Sequence, residues 1–138
     1  MKMKLDHIGI VVKDIEHSKE HYRNTYGCEP LSDVIYEPAH KVNVLFLDVG
    51  YGSTPMIELI TPIEEKSQVS NFLDKTGGGI HHLAYEVADI DEAIKHFKSL
   101  KGMILGGIVP GAGHDNTRTV WLYTTEKNLV ELIEARHG

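Results

Sequence analysis

An internal repeat constrains the fold of this chain more than any other feature of its sequence. When the chain is shifted by 75 positions against itself, matching residues coincide over more than twenty positions. The matching pairs include His7 with His82, Asp14 with Asp89, Ile15 with Ile90 and Gly27 with Gly102. A second match, MIELI with LVELI, pairs Glu58 with Glu131 at an offset of 73. A repeat of this kind indicates two copies of one supersecondary unit.

Hydrophobic periodicity predicts the same order of elements in each copy: a strand, a helix and three more strands. In the first copy, LDHIGIVV predicts a strand, and Asp14 and Gly27 are the N-cap and the C-terminal stop of a predicted helix. In the second copy, GIHHLAYEV predicts the strand and Asp89 caps the helix. The other predicted strands lie at 31–36, 41–49, 55–61, 103–109, 117–124 and 128–134, with a hairpin-like turn at 50–53.

These elements predict an α+β fold. We expect a single domain over residues 1–138, in which 1–62 is the first βαβββ module and 79–138 is the second. Residues 63–78 are expected to form a linker with one short helix, followed by a glycine-rich stop.

The composition excludes several classes of protein. With 14 Lys and Arg against 20 Asp and Glu, the net charge is −6, which disfavours nucleic acid because backbone binding needs a basic face. The single cysteine, Cys28, has no intramolecular partner for a disulfide bond. No apolar run approaches the roughly 20 residues of a membrane span, and the first residues lack the pattern of a signal peptide. We therefore expect a cytoplasmic protein that binds neither nucleic acid nor membrane.

Two glutamates are placed unusually for strand residues. Glu58 in MIELI and Glu131 in LVELI have apolar neighbours on both sides of the pleat. An ionised carboxylate buried there is costly unless a positive group meets it, and neither glutamate has a lysine next to it. One such glutamate is equally well explained by an edge strand with a solvated face. Two at equivalent positions of a repeat favour a metal ion.

Most of the nine histidines fit solvated helices and loops. His81 and His82 are adjacent on a strand, so their side chains point to opposite faces and only one can face a given cavity. The repeat selects His82, because it matches His7. A pseudo-twofold arrangement of the modules would bring these two imidazoles together with the two glutamates. This mixed donor set suits one divalent ion, which we expect to be Ni, Co, Zn, Mn or Fe(II), with positions left open for substrate.

At these residues the sequence resembles the vicinal oxygen chelate superfamily, which includes glyoxalases, bleomycin resistance proteins and dioxygenases. The passages that carry the resemblance are LDHIGIVVKDIEHSKEHY, MIELITP, SQVSNFLDKTGGGIHHLAYEVADID and NLVELIE. The resemblance implies paired βαβββ modules that form a curved, partly open β-sheet cup with the helices outside. It also implies that His7, Glu58, His82 and Glu131 are the metal ligands.

Within the superfamily, the linker and GGGIHHLAYEV look most like methylmalonyl-CoA epimerases, and the ligand set with Glu58 is also similar to that of glyoxalase I. The chain departs from the epimerase pattern at Asn43, where some epimerases offer a second carboxylate for proton transfer. Three functions stay open: a metal-dependent epimerase or isomerase of an acyl-CoA, a glyoxalase-type lyase of a thiol hemithioacetal, and a non-enzymatic module that binds small molecules.

The chemistry implied by this resemblance is removal of a proton next to a carbonyl, by way of an enediolate. We expect Glu131 to be the base and Glu58 to act as the second proton-transfer group. The candidate substrate contacts around the cup are Lys41, Asn43, His114, Asn116, Arg118 and Trp121. Exposed strand edges on two small modules also make a homodimer the expected assembly.

Overall fold

The computed structural model describes residues 2–50, 52 and 55–136. The predicted turn at 50–53 therefore lies partly outside the described residues, and the terminal His137 lies outside them entirely. The first half of the chain contains β1 (Met3–Val11), α1 (Ile15–Tyr26), β2 (Glu29–Pro30), β3 (Ile35–Glu37), β4 (Val42–Asp48), β5 (Met56–Pro62) and α2 (Gln68–Thr76). The second half contains β6 (Gly79–Val87), α3 (Ile90–Ser99), β7 (Met103–Gly111), a 3-10 turn (Ala112–His114), β8 (Thr117–Tyr123) and β9 (Leu129–Glu134).

The repeat is visible in how the two long helices begin. The Asp14 side chain accepts a hydrogen bond from the backbone N–H of His17, and Asp89 accepts hydrogen bonds from the first turn of α3 in the same way. Both caps have extended backbone, with φ of −136° and −137°. Such caps satisfy N–H groups that have no partner inside the helix. The predicted α+β class with βαβββ modules is confirmed.

One predicted strand is wrong in its bounds. The segment 31–36 does not form a continuous strand: Glu29–Pro30 and Ile35–Glu37 are separate short strands with bends between them. Pro30 has no N–H to continue a ladder, and the Ser32 hydroxyl donates to the Asp33 carbonyl, which favours a turn. The other strand predictions agree with the structure to within two residues.

The chain divides into two compact units, and the first is His7–His81. Its strands lie in the order β1, β5, β4 and β2, with β3 also paired to β4. The β1–β5 pair is parallel, and β4 is antiparallel to its neighbours. One face of this sheet forms a core with α1 residues, built on Cys28, Leu45, Leu47 and Leu59. The other face carries His7, Phe46 and Glu58, as strand alternation requires.

The second unit comprises Met1–Asp6 and His82–Gly138. Its strands run in the order β6, β9, β8 and β7, with β6 parallel to β9 and the other pairs antiparallel. One face packs against α3 through a core that includes Ile90, Ala93, Val120, Leu122 and Leu132. The division predicted at 1–62, 63–78 and 79–138 concerns the repeat units of the sequence and stays a prediction.

Among the described residues, no helix has the length and apolar character needed to cross a membrane.

A glycine at the end of α2 is required by a close backbone approach. The helix ends at Thr76, Gly77 caps it with φ 78°, and Gly78 follows with φ 107°. A Cβ on Gly78 would lie 2.7 Å from the Val11 carbonyl oxygen, whereas a Cβ on Gly77 would meet nothing within 4 Å. Gly78 therefore lets the chain that follows α2 pass directly against the end of β1.

We predict that Gly78→Ala destabilises the protein more than the matched control Gly77→Ala. Both substitutions force a side chain into a positive-φ conformation, which costs about 1–2 kcal/mol, and only Gly78→Ala adds a backbone overlap of about 1–3 kcal/mol. Urea unfolding followed by circular dichroism measures both differences. Equal losses in the two variants would contradict the role assigned to the Val11 contact.

Candidate metal centre

In the first unit, the parallel pairing of β1 with β5 places His7 beside Glu58. The register sets Gly9 opposite Glu58, and His7 precedes Gly9 by two residues, so its side chain lies on the same face. His7 Nε2 is 3.3 Å from Glu58 Oε1. Their side chains are 0% and 5% exposed, so this is a buried histidine–carboxylate pair.

The second unit repeats this arrangement. The register sets Ala84 opposite Glu131, and His82 precedes Ala84 by two residues. His82 Nε2 is 3.7 Å from Glu131 Oε1, and the two side chains are 1% and 4% exposed. The repeat in the sequence therefore corresponds to a repeated register, which pairs one histidine with one glutamate in each unit.

An aromatic residue lies opposite each glutamate on the neighbouring antiparallel strand. Phe46 faces Glu58 and packs edge-on against the His7 ring, with centroids 5.2 Å apart. Trp121 faces Glu131 and packs on the His82 ring at 5.3 Å. The Trp121 indole Nε1–H also donates a hydrogen bond of 3.1 Å to Glu131 Oε2.

Each pair fits the requirements of a divalent cation. Two ligands that bind one ion at about 2.1 Å, with tetrahedral or octahedral angles, lie roughly 3.0–3.5 Å apart. The observed Nε2–Oε1 distances of 3.3 and 3.7 Å are close to that spacing. A buried carboxylate also needs a positive group to offset the loss of water. The imidazole nitrogen and carboxylate oxygen in each pair are suitable ligands for Zn, Ni, Co, Mn or Fe(II).

His114 also lies beside Glu131. It is the last residue of the 3-10 turn, and its Nε2 is 3.9 Å from Glu131 Oε1. The backbone at Gly111 makes room for it, because a Cβ there would lie 3.1 Å from His114 Cδ2 and 2.8 Å from Thr119 Cγ2. The loop that contains His114 thus brings a second imidazole to the glutamate of this unit.

Two predicted substrate contacts face away from these pairs. Asn43 is three residues from Phe46 on β4, and Arg118 is three residues from Trp121 on β8, so each points to the opposite face of its strand. Arg118 donates hydrogen bonds to Glu134 and to Asp91 at the start of α3. These carboxylates raise the pKa of the Arg118 guanidinium. In the structure, Arg118 links β8 to β9 and to α3.

The two remaining predicted contacts lie in loops. Lys41 has a positive φ of 53°, and its Nζ is 3.1 Å from a carboxylate oxygen of Glu64. Asn116 also has a positive φ, of 60°, and is exposed just before β8.

Sequence reasoning missed the position of Phe46 opposite Glu58. The repeat offset of 75 pairs Phe46 with Trp121 and could have identified it.

Comparison with known proteins gives a family and a set of relatives. Residues 6–120 match the model of the Glyoxalase/Bleomycin resistance protein/Dioxygenase superfamily. The chain is 37% identical over 132 residues to an ethylmalonyl-CoA/methylmalonyl-CoA epimerase of Cereibacter sphaeroides, covering 94% of this chain and 96% of that protein. It is 35% identical over 134 residues to the mitochondrial methylmalonyl-CoA epimerase of Dictyostelium discoideum, covering 95% and 78%.

Solved structures agree with this relationship. The methylmalonyl-CoA epimerase of Mycobacterium tuberculosis superimposes with a TM-score of 0.86 at 28% identity, over 97% of this chain and 89% of that one. A variant of the Streptomyces coelicolor methylmalonyl-CoA epimerase, in complex with 2-nitronate-propionyl-CoA, gives a TM-score of 0.84 at 27% identity, over 97% and 98%. The resemblance seen in the sequence is confirmed: the chain belongs to the glyoxalase/bleomycin resistance protein/dioxygenase superfamily, and these relatives are epimerases.

Proposed function

We propose that this protein is a divalent-metal-dependent epimerase of an α-acidic acyl-CoA such as methylmalonyl-CoA. The observation that carries the proposal is the buried histidine–glutamate pair, which occurs at the same strand register in both units. It occurs in a chain that is 37% identical, over nearly its whole length, to an ethylmalonyl-CoA/methylmalonyl-CoA epimerase.

The proposed ligands of one cation are His7, Glu58, His82 and Glu131. Their equivalence in the repeat and the donor spacing within each pair support this assignment. A bound divalent cation would supply Lewis-acid stabilisation of the negative charge that develops on the substrate carbonyl oxygen. The protein supplies buried carboxylates, from which water is largely excluded, so that electrostatic interactions with the substrate are stronger than in water.

The two glutamates provide the proton transfers. Glu131 takes the proton from the α-carbon on one face, and Glu58 returns a proton to the other face, which inverts the configuration and leaves the composition of the substrate unchanged. Glu131 Oε1 lies on the side of His82 and His114, while Oε2 accepts from Trp121. Oε1 is therefore the oxygen that we assign to the reaction.

The substrate contacts follow from where the candidates lie. His114 lies next to Glu131, so we assign it to the reacting part of the substrate. Lys41 and Asn116, in loops, are assigned to more distant parts of the acyl-CoA. We leave Asn43 and Arg118 out of the proposed substrate site, because both point to the helix side of their sheets.

The assembly as a homodimer and the cytoplasmic location of the protein stay predictions.

Exchange of the α-proton of the substrate tests the proposed acid–base chemistry. The metal-loaded protein in D2O should exchange the α-proton of both epimers of methylmalonyl-CoA. Glu131→Gln should slow exchange from one epimer and Glu58→Gln exchange from the other, each by about 10²–10⁴-fold, as expected for loss of the acid–base group on that face. Mass spectrometry of the recovered substrate measures the rate. Glu126→Gln, an exposed loop change, is the matched control and should exchange at the wild-type rate.

An absence of exchange by the metal-loaded wild type would contradict the proposal. If the same preparation instead turned over the hemithioacetal of methylglyoxal with glutathione or bacillithiol, the chemistry would be assigned to a lyase.

The number of cations bound per chain tests the proposed set of four ligands. The wild type should hold one divalent ion per chain, and His7→Ala and His82→Ala should each abolish that binding, because removing one of four ligands opens the shared shell. Metal analysis after dialysis measures the stoichiometry, circular dichroism checks the fold, and His17→Ala on the exposed face of α1 is the control. Two ions per wild-type chain, or full binding in either variant, would contradict a single shared ion.

A further inference from the structure

We propose that Trp121 is a positioning residue for Glu131: its indole N–H holds one carboxylate oxygen and thereby presents the other to the cation and the substrate. This inference rests on the proposed function, since it assigns Trp121 a role towards one of the proposed ligands. It differs from the sequence-based prediction, which placed Trp121 in contact with the substrate.

The hydrogen bond is direct and buried. Trp121 lies on β8 opposite Glu131 on β9, and its Nε1 is 3.1 Å from Glu131 Oε2. Trp121 is 8% exposed and Glu131 is 3% exposed. A buried indole N–H needs an acceptor, and a bond to an ionised carboxylate is stronger than one between neutral groups. This contact therefore restrains rotation of the carboxylate.

The two oxygens of Glu131 have different surroundings. Oε2 accepts from the indole, whereas Oε1 is 3.7 Å from His82 Nε2 and 3.9 Å from His114 Nε2. The indole ring also packs on the His82 ring. Trp121 thus contacts both members of the histidine–glutamate pair in this unit, and it leaves Oε1 directed to the imidazoles.

The aromatic residue at the equivalent position of the first unit is a phenylalanine. Phe46 is the counterpart of Trp121 in the repeat, lies opposite Glu58 and packs on His7, but a phenyl ring carries no N–H. Any hydrogen bond that restrains Glu58 therefore comes from another group. The two glutamates are equivalent in sequence position and register but differ in how the opposite aromatic residue holds them. This difference assigns them unequal roles.

Other metal sites indicate how much metal affinity the loss of such a hydrogen bond costs. Removing a hydrogen bond that orients a ligating side chain typically lowers metal affinity or activity by about 10–100-fold. Trp121→Phe removes the N–H and keeps an aromatic ring against His82. We expect it to weaken the affinity for Zn²⁺, measured by calorimetry, by about 10–100-fold. Tyr85→Phe, on β6 and packed in the α3 core of the same unit, is the matched control and should bind Zn²⁺ as the wild type does.

A spectroscopic test does not depend on catalysis. Trp121 is the only tryptophan of the chain, so the protein has a single indole N–H signal in a ¹H–¹⁵N spectrum. We expect a downfield signal that exchanges slowly with solvent in the wild type, moves upfield in Glu131→Gln, and is unchanged in Glu126→Gln. Because Glu131→Gln retains the shape of the side chain, this measurement remains informative if Trp121→Phe folds poorly.

The outcomes separate this inference from the proposed function. An indole signal that Glu131→Gln leaves unmoved, or a folded Trp121→Phe variant with wild-type affinity for Zn²⁺, overturns the positioning role even if methylmalonyl-CoA is exchanged. The expected signal and the weakened affinity, in a protein that exchanges no methylmalonyl-CoA, support the positioning role and overturn the proposed function. A wild type that binds no divalent cation overturns both.

Discussion

The parallel pairing of β1 with β5, and of β6 with β9, is the constraint on which the rest of the structure depends. In each unit this register places a glutamate beside a histidine within a buried face, at 3.3 Å for Glu58 and 3.7 Å for Glu131. A shift of one residue in either pairing would turn the glutamate into the helix-side core. An ionised carboxylate buried in this way costs several kcal/mol unless it is compensated, and the proposed cation would supply that compensation.

The two units share this geometry but are not chemically identical. Phe46 and Trp121 take the same position opposite the two glutamates, and only the indole donates a hydrogen bond. His114 adds a second imidazole beside Glu131, from a loop that Gly111 allows to pack closely. The duplicated framework thus carries two buried carboxylates with different neighbours, and in the proposed reaction one of them removes a proton and the other returns it.

The sequence was sufficient to predict the repeat, the helix starts at Asp14 and Asp89, and the α+β modules, because caps and apolar periodicity are local signals. It was not sufficient for details that depend on register. The orientation of Asn43 and Arg118 away from the histidine–glutamate pairs follows from counting along β4 and β8, which requires knowing that Phe46 and Trp121 face the glutamates. The hydrogen bond from Trp121 to Glu131 is a contact between strands, with no signature in either segment alone.

The central claim is that His7, Glu58, His82 and Glu131 bind one cation, and X-ray absorption spectroscopy of the zinc-loaded protein tests it most directly. The account predicts one zinc per chain with two imidazole nitrogens and two carboxylate oxygens at about 2.0–2.2 Å, together with any bound water. A shell with a single imidazole, or zinc that is retained unchanged in a His82→Ala variant, would contradict it.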